Sequence, residues 1–522
     1  MAKTRISAPE TELEIKLLPD AADAERIWRL AAIRKRACGR RATRHLRTVY
    51  YDTPDWDLQK AGIALRLRSL GAGRFEQHLK TAGTTEGGLF RRQEWKSTLP
   101  DGNLDLSALD EAALDRIAPF RKALRPVFES DLKRTTLDLG DGKSLVELAL
   151  DRGTIRAFRP EGVRETPLVE IEMERKAGSP AFIYEAALDL ANALPLSLGW
   201  QSKAERGISL YRGLAPTSRA YGMPSFAATA SLGEALAAIL SAAMAHVLAN
   251  QDALRRTDDP EAVHQMRVGC RRLRAALSLF RAEIPEAALL GDGFRNLGAA
   301  LGTVRDLDVF AHQTLEAILG AAEIPADLRP ILERAKNTLR LRRAEALEEA
   351  RRTIGAPETA VALLRLGLRT ALLHQAGEGS PAVPVATVAR RLSARHLRKL
   401  KTMDASLVGL APEHRHKIRI AAKKLRYVLE FLAPALPAKA TAPAIRRLAR
   451  LQDCLGPLND IAAVPRMVSD LIPTLRDRDL AVGFATGWHS RDAARLVDEA
   501  EALWREIRAG RTPQRKPARA RS

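Results

Sequence analysis

Glu12, Glu14 and Lys16 stand at alternate positions of Leu13-Glu14-Ile15-Lys16-Leu17 and its preceding residue. In an extended strand, side chains two apart share a face, so two carboxylates and an ammonium lie opposite three aliphatic groups. The arrangement recurs along the first 200 residues. Arg66 and Arg68 share a face, as do Glu147 and Asp151, and Glu170, Glu172 and Glu174. Arg92, Glu94 and Lys96 align in the same way, and so do Arg134, Thr136 and Asp138. A wet outer face accounts for any one such strand. It does not account for charges sorted by type, because like charges two residues apart repel. Strands curled so that these faces meet would offer cations to a multiply phosphorylated anion. The paired carboxylates would offer hard oxygen ligands to Mg²⁺ or Mn²⁺. Such a metal bridges phosphate oxygens and offsets the charge that develops in phosphoryl transfer to water.

A second constellation follows. His264, Arg267, Arg271, Arg272, Leu273 and Arg274 return as His416, Arg419, Lys423, Lys424, Leu425 and Arg426, with an offset of 152 at all six positions. Leu301-Gly302 before Arg305-Asp306 is echoed by Leu455-Gly456 before Asn459-Asp460. This is an internal duplication. At helical spacing, His264, Arg267, Arg271 and Arg274 fall within an arc of about 80°. One basic stripe is ordinarily a solvated helix face. Two matching stripes, each led by a histidine, predict a groove lined with phosphate donors.

The elements that carry these residues differ between the two regions. From residue 10 to about 212 the apolar pattern has period two, in LEIKL, GIALRLR, SLVELAL and PLVEIEME, which predicts strands. The Pro-, Gly- and Ser-rich stretch Tyr211–Ser231 predicts a connection. Beyond it, to about residue 509, long Ala/Leu/Arg runs predict helices. Charge divides similarly: residues 1–215 carry 36 Lys+Arg against 31 Asp+Glu, and the remainder 48 against 32. The helical region therefore holds most of the net +21 and calls for a polyanionic partner. Its final residues, 510–522, read as a disordered basic tail. Three widely spaced cysteines, Cys38, Cys270 and Cys454, indicate neither a disulfide framework nor a zinc site. The longest apolar stretch, Ala235–Ala249, is interrupted by Ser241 and His246, which argues against a membrane span. A cytoplasmic location is expected.

The first constellation resembles the CYTH, or triphosphate-tunnel, superfamily over roughly residues 8–213. Glu12-x-Glu14-x-Lys16 is similar to its ExExK signature, and Tyr51-Asp52-Thr53 to its YYDT segment. Leu65-Arg66-Leu67-Arg68, Lys80, Arg92-x-Glu94, Glu147-x-x-x-Asp151, Glu170-x-Glu172 and Ser202-Lys203-x-x-Arg206-Gly207 follow in the family's order. The resemblance implies an eight-stranded antiparallel tunnel with a polar interior. It implies Glu12, Glu14, Glu170, Glu172 and Asp151 as metal ligands, with Glu147 an alternative to Asp151. Lys16, Arg66, Arg68, Lys80, Arg92 and Arg134 would hold phosphate, and Lys203 would orient or activate the attacking water. Glu94 is either catalytic or a structural partner of the arginines.

The second constellation resembles the CHAD domain (conserved histidine α-helical domain) over about 229–509, with halves at about 229–375 and 385–509 and a linker at 214–228. That implies two stacked four-helix bundles with a basic face that binds polyphosphate, and an association with polyphosphate granules.

Together the resemblances point to an α+β multidomain enzyme that hydrolyses inorganic triphosphate with Mg²⁺ or Mn²⁺. The rivals are a class IV adenylate cyclase, a thiamine triphosphatase, and a non-catalytic polyphosphate-binding protein. No RRM or helix-turn-helix signature supports specific nucleic-acid binding. Gly142-Lys143-Ser144 ends like a P-loop, but Leu137 stands where the first glycine belongs, and Asp141-Gly142 reads as a hairpin turn.

Overall fold

The computed structural model describes residues 10–321, 324–377 and 383–510. The basic tail from residue 511 onward lies outside the described residues. The chain divides into two compact units. One contains the β region through Arg219 together with Met244–Ala262 and Ile354–Leu372; the other contains the remaining helical segments.

Among the described residues, ten strands form the β region. They are β1 (Glu10–Pro19), β2 (Ala37–Asp52), β3 (Ile63–Ser69), β4 (Phe75–Thr81) and β5 (Thr84–Glu86). Then come β6 (Leu89–Leu99), β7 (Arg125–Gly140), β8 (Leu145–Arg159), β9 (Gly162–Ala177) and β10 (Leu196–Leu198). Neighbours run β1-β9-β8-β7-β2-β3-β4-β6, and β6 pairs back with β1, so eight antiparallel strands close into a barrel. The short β5 and β10 attach to β6 and β1.

This barrel is apolar outside and charged inside. Leu13, Ile15 and Leu17 of β1, on the face opposite Glu12, Glu14 and Lys16, are buried as well. The helix Ala181–Ala191 packs against β8 and β9. Leu58, Leu65, Leu79 and Trp95 form an outer core with Ala113 and Ile117 of the helix Glu111–Ile117. Trp95 donates from its indole to Asp110 Oδ2 at 2.9 Å, so it is a packing residue with a satisfied polar end. The turn from β7 to β8 is the expected hairpin: Asp141 Oδ1 accepts from the Lys143 and Ser144 amides, and Gly142 takes a φ of 88°.

Tyr51-Asp52-Thr53 does local structural work. Asp52 accepts from the amides of Thr53, Leu58 and Gln59, tying the end of β2 to the short helix Asp57–Lys60.

The helix α1 (Lys203–Arg212) packs on β7, β8 and β9. Ser202 and Glu205 form a reciprocal capping box at its start, which fixes Lys203 as its first residue. Gly207 permits close docking, since a Cβ there would stand 2.1 Å from the Phe128 ring.

The remaining long helices are α2 (Leu232–Ala249), α3 (Pro260–Leu279), α4 (Arg295–Phe310), α5 (Leu328–Gly355) and α6 (Pro357–Gly377). They continue with α7 (Val385–Lys401), α8 (Pro412–Phe431), α9 (Ala438–Leu471) and α10 (Leu475–Ala509). Within the helical unit, α4, α5, α9 and α10 share a core that includes Phe310, Leu328, Leu332, Val464, Val468 and Ala481. The stretch Leu232–Arg256 is long and apolar enough to cross a membrane, but 72% of its most apolar window is buried in the fold, as in a core helix. His246 and Asn250 are also buried there, and Asn250 donates to the His246 carbonyl. All three cysteines are free, Cys38 exposed and the other two buried.

Candidate active site and phosphate-binding surfaces

Barrel closure brings the alternating charges into one interior. On one side Asp151, Glu170, Glu172 and Glu14 gather around two ammonium groups. Lys203 Nζ lies 2.9 Å from Asp151 Oδ2, 2.8 Å from Glu170 Oε1 and 2.7 Å from Glu172 Oε1. Lys16 Nζ lies 2.8 Å from Glu14 Oε1 and 2.6 Å from Glu172 Oε1. Arg134 donates to both Asp151 oxygens and to Glu172 Oε2. Burial would lower the pKa of both lysines, but the surrounding carboxylates more than reverse it, so both are held firmly protonated.

Glu12 belongs to a different group from Glu14. Lys80 Nζ contacts both Glu12 oxygens, at 2.7 and 2.6 Å, and Glu94 Oε1 at 3.3 Å. Glu94 also receives Lys96 at 3.0 Å, His78 Nδ1 at 2.8 Å and Arg66 at 3.5 Å. Burial opposes ionisation of Glu94, yet Lys80, His78 and Arg66 overcome it and hold the carboxyl far below its usual range. Glu147 is partly exposed and faces Lys176 at 3.7 Å, whereas Asp151 is fully buried in the interior. The Arg92 guanidinium lies over the Phe90 ring, 4.8 Å from its centroid.

Arg68 is treated differently. It donates to Thr48 Oγ1 at 3.2 Å, and among the described residues no carboxylate pairs with it. Burial, then Arg66 and Arg134, presses its pKa down to about 10. Tyr50 completes this region: burial raises its pKa, but Arg66, Arg68 and Lys203 outweigh that and lower it.

Tyr50, His78 and Arg206, whose Nη2 lies 2.8 Å from Glu170 Oε2, are interior groups not singled out as site residues from the sequence. His78 shares a strand face with Lys80, two residues on, whereas Tyr50 is placed beside Arg66 only by strand pairing.

The barrel carboxylates suit a hard divalent cation by donor type, because all are oxygen ligands. The Glu170 Oε2–Arg206 contact lacks hydrogen-bond geometry, so that buried oxygen keeps lone pairs to offer. Among the described residues no three Asp, Glu, His or Cys side chains form a preassembled cage. Lys16 and Lys203 stand between the oxygens that would have to converge.

On the helical side, the two stripes meet. Arg271 Nε of α3 donates to Tyr427 OH of α8 at 2.7 Å. Lys423 has its pKa pushed down to about 7 by burial and then by Arg271, Arg419, Arg267 and Arg426. The echoed polar residues sit beside them: Arg267 contacts Asp306 at 3.1 Å, and His416 Nδ1 lies 2.6 Å from Asn459 Oδ1. Arg426 contacts Glu430 at 3.3 Å, and Arg274 is exposed. His264 is half-buried on the same face of α3.

Residues 10–208 match the model of the CYTH domain, and residues 238–469 match that of the CHAD domain. A protein from Haemophilus influenzae named inorganic triphosphatase is 31% identical over 169 residues. That match covers 32% of this chain and 46% of the relative, so the chain spans about half the length of the curated relative it matches. Among solved structures, the CHAD domain of the plant Ricinus communis is 30% identical, covering 58% of this chain and 98% of its own, with a TM-score of 0.47. A Hippeastrum protein with an adenylyl-cyclase name and a dominant triphosphatase activity is 15% identical, covering 39% of this chain and 95% of its own, with a TM-score of 0.28.

Proposed function

Since the chain joins a CYTH domain to a CHAD domain, we propose that it hydrolyses inorganic triphosphate in the barrel and holds longer phosphate chains on its helical unit. The observation that carries this reading is the polarised interior: a carboxylate group around Lys16 and Lys203, and a cationic region centred on Arg66 and Arg68. The Haemophilus relative's name supports the choice of substrate.

Arg66, Arg68, Arg134, Lys80 and Arg92 would bind and orient the phosphate chain, with the Tyr50 hydroxyl donating a hydrogen bond to a phosphate oxygen. Glu14, Asp151, Glu170 and Glu172 are the residues that would hold Mg²⁺ or Mn²⁺, and Glu12 would join them once Lys80 turned to phosphate. When bound, the metal supplies positive charge to the phosphate oxygens and eases cleavage of the anhydride. In exchange Lys16 and Lys203 would be freed from their carboxylates to face phosphate. Lys203 then acts as an ammonium that orients water, since its surroundings keep it protonated in the free protein. Glu94, ringed by four basic side chains, is read as their positioning partner and not as a proton acceptor.

The helical reading rests on the stripes of His264, Arg267, Arg271, Arg274 and His416, Arg419, Lys423, Arg426. Their offset of 152 supports a duplicated pair of four-helix bundles. The same reading places the chain in the cytoplasm, at polyphosphate granules.

The test is phosphate release from triphosphate, ATP, thiamine triphosphate and long polyphosphate, with and without Mg²⁺ or Mn²⁺. Triphosphate should be the preferred substrate, and hydrolysis should need the metal. Glu170→Gln/Glu172→Gln should lose at least about 100-fold in kcat while triphosphate binding persists through the arginines. Wild-type turnover in that variant at saturating metal would refute the catalytic assignment.

A further inference from the structure

A cleft of about 520 Å³ opens in the helical unit between the end of α3, one face of α7 and α8. It shares no residue with the barrel interior or with the two stripes, and Lys424 is its one residue from the repeated segment. Arg281, Arg391, Arg395, His396, Lys399 and Lys424 line it. Arg391, Arg395 and Lys399 are spaced four apart, so α7 presents them in one row. Arg281 enters from beyond α3 and Lys424 from α8.

Charge balance distinguishes this cleft from an ordinary wet surface. Arg391 is paired with Glu283 at 2.9 Å. Among the described residues, Arg281, Arg395, Lys399 and Lys424 have no carboxylate at ion-pair distance. Helices α7 and α8 and the turn after α3 thus bring uncompensated cations to one concavity. A solvated face would interleave the two signs, since like charges held together destabilise the fold. Burial, and then Arg395, Lys424 and Lys399, lower the pKa of His396 and so favour its neutral ring, one nitrogen of which can accept a hydrogen bond.

The remaining lining narrows the ligand. Leu279 and Leu392 contribute apolar surface to the same cleft. A bare phosphate chain has nothing to bury against them and runs along a track, whereas this site is compact and of ordinary small-ligand size. Glu283 offers a carboxylate acceptor at one edge, which phosphate alone would avoid. We propose that the cleft binds a nucleoside polyphosphate, with phosphates on Arg395, Lys399 and Lys424 and the nucleoside against Leu279 and Leu392. Glu283 then accepts from a ribose hydroxyl or a base amine.

Photolabelling of the full chain with 8-azido-ATP, followed by peptide mapping, tests this independently of any activity in the barrel. The label should map to residues 278–283 or 391–399. Arg395→Gln/Lys399→Gln should reduce it about tenfold. Both side chains are exposed, and a thermal melt checks that the variant folds. Arg281→Gln provides a second, single-site reduction. Unlabelled ATP should protect at a concentration at least about threefold below that required of tripolyphosphate. Arg267→Ala/Arg419→Ala should leave the label in place. Labelling confined to other peptides, or unchanged in the cleft variants, would overturn the proposal. Equal protection by tripolyphosphate would reduce the cleft to a phosphate-chain site, and equal loss in the stripe variant would merge it with the repeated groove; either also overturns it.

Discussion

Arg68 and Glu94 illustrate two treatments of buried charge within one barrel. Glu94 is answered from four sides, and removing any single partner leaves it others. Arg68 is crowded by Arg66 and Arg134, and among the described residues it donates a hydrogen bond to the Thr48 hydroxyl and to no carboxylate. A buried guanidinium among cations costs folding free energy and gains it back from an anion. Arg68→Gln should therefore raise the KM for triphosphate by at least about tenfold, the worth of one charge-assisted hydrogen bond. The melting temperature of the substrate-free variant should stay the same or rise. A fall in melting temperature with unchanged KM would make Arg68 a structural residue. The inward direction of Arg68 was legible in the sequence, because alternation fixes which residues share a strand face. Its lack of a partner was not legible, since that depends on which strands become neighbours. His78 and Tyr50 were missed for a related reason. An imidazole and a phenol carry no formal charge pattern, and only the cross-strand register Arg66↔His78 and Tyr50↔Arg66 places them among the arginines.

At the scale of elements, α1 sets one wall of the site by docking on β7 and β8, and two small features control it. The capping box at Ser202 and Glu205 starts the helix at Lys203, and Gly207 lets the helix approach Phe128. The Phe128 ring is buried and stacked on Tyr50 at 4.4 Å, so it has little room to yield. Gly207→Ala should push α1 outward, carry Lys203 from its three carboxylates and lower kcat by at least about tenfold, whereas Ser202→Ala should cost about 1 kcal/mol of stability. Turnover and thermal melts on both variants check this; a fully active Gly207→Ala would mean that the docking distance is unimportant.

The meeting of α3 and α8 has its own pH signature. Lys423 has a folded-state pKa of about 7, below the ordinary lysine value, because burial and four arginines disfavour its charge. Below pH 7 both folded and unfolded chains carry the proton, and the repulsion is present in full. As pH rises from about 7 towards 10.5 the folded chain releases the proton first, so this group's penalty on stability is progressively relieved. Phosphate binding has the opposite sense, since an anion favours the protonated form. Polyphosphate affinity should fall as pH rises through this window, and Lys423→Arg should flatten that fall. Titrations at constant ionic strength would show it; an unchanged pH slope in the variant would exclude Lys423 as the source. The repeat itself was evident in the sequence from its constant offset, but the approach of the two stripes needed the packing of α3 and α8.

For the whole molecule, every barrel residue assigned from the sequence precedes the linker at 214–228, which by itself predicts that a fragment ending at about Pro216 folds and acts alone. The unit that holds the barrel is larger than that stretch, since it includes Met244–Ala262 and Ile354–Leu372. Periodicity could not reveal this, because both segments read as ordinary helix and their barrel contacts are long-range. Gln251 Nε2 donates to the Leu198 carbonyl at 3.0 Å, and Arg255 donates to Ser197 Oγ at 3.1 Å, so two helical side chains secure β10. A Cβ on Gly367 would stand 2.1 Å from the Tyr184 ring, which shows how closely that segment approaches the helix covering β8 and β9. Leu198 and Tyr184 are each only 1% exposed, and truncation at Pro216 would leave both facing water. Uncovering a large apolar side chain costs about 1.5–3 kcal/mol, so the fragment should melt well below the full chain. None of the barrel's charged groups is removed, so turnover per folded molecule should persist at low temperature. A fragment ending at residue 375 should recover much of the lost stability, because it restores both segments. Thermal melts and triphosphate hydrolysis on the full chain and on both fragments separate the possibilities. A Pro216 fragment that melted with the full chain would show that the two helical segments contribute nothing to the barrel, whereas an inactive but folded fragment would require a helical residue in the site.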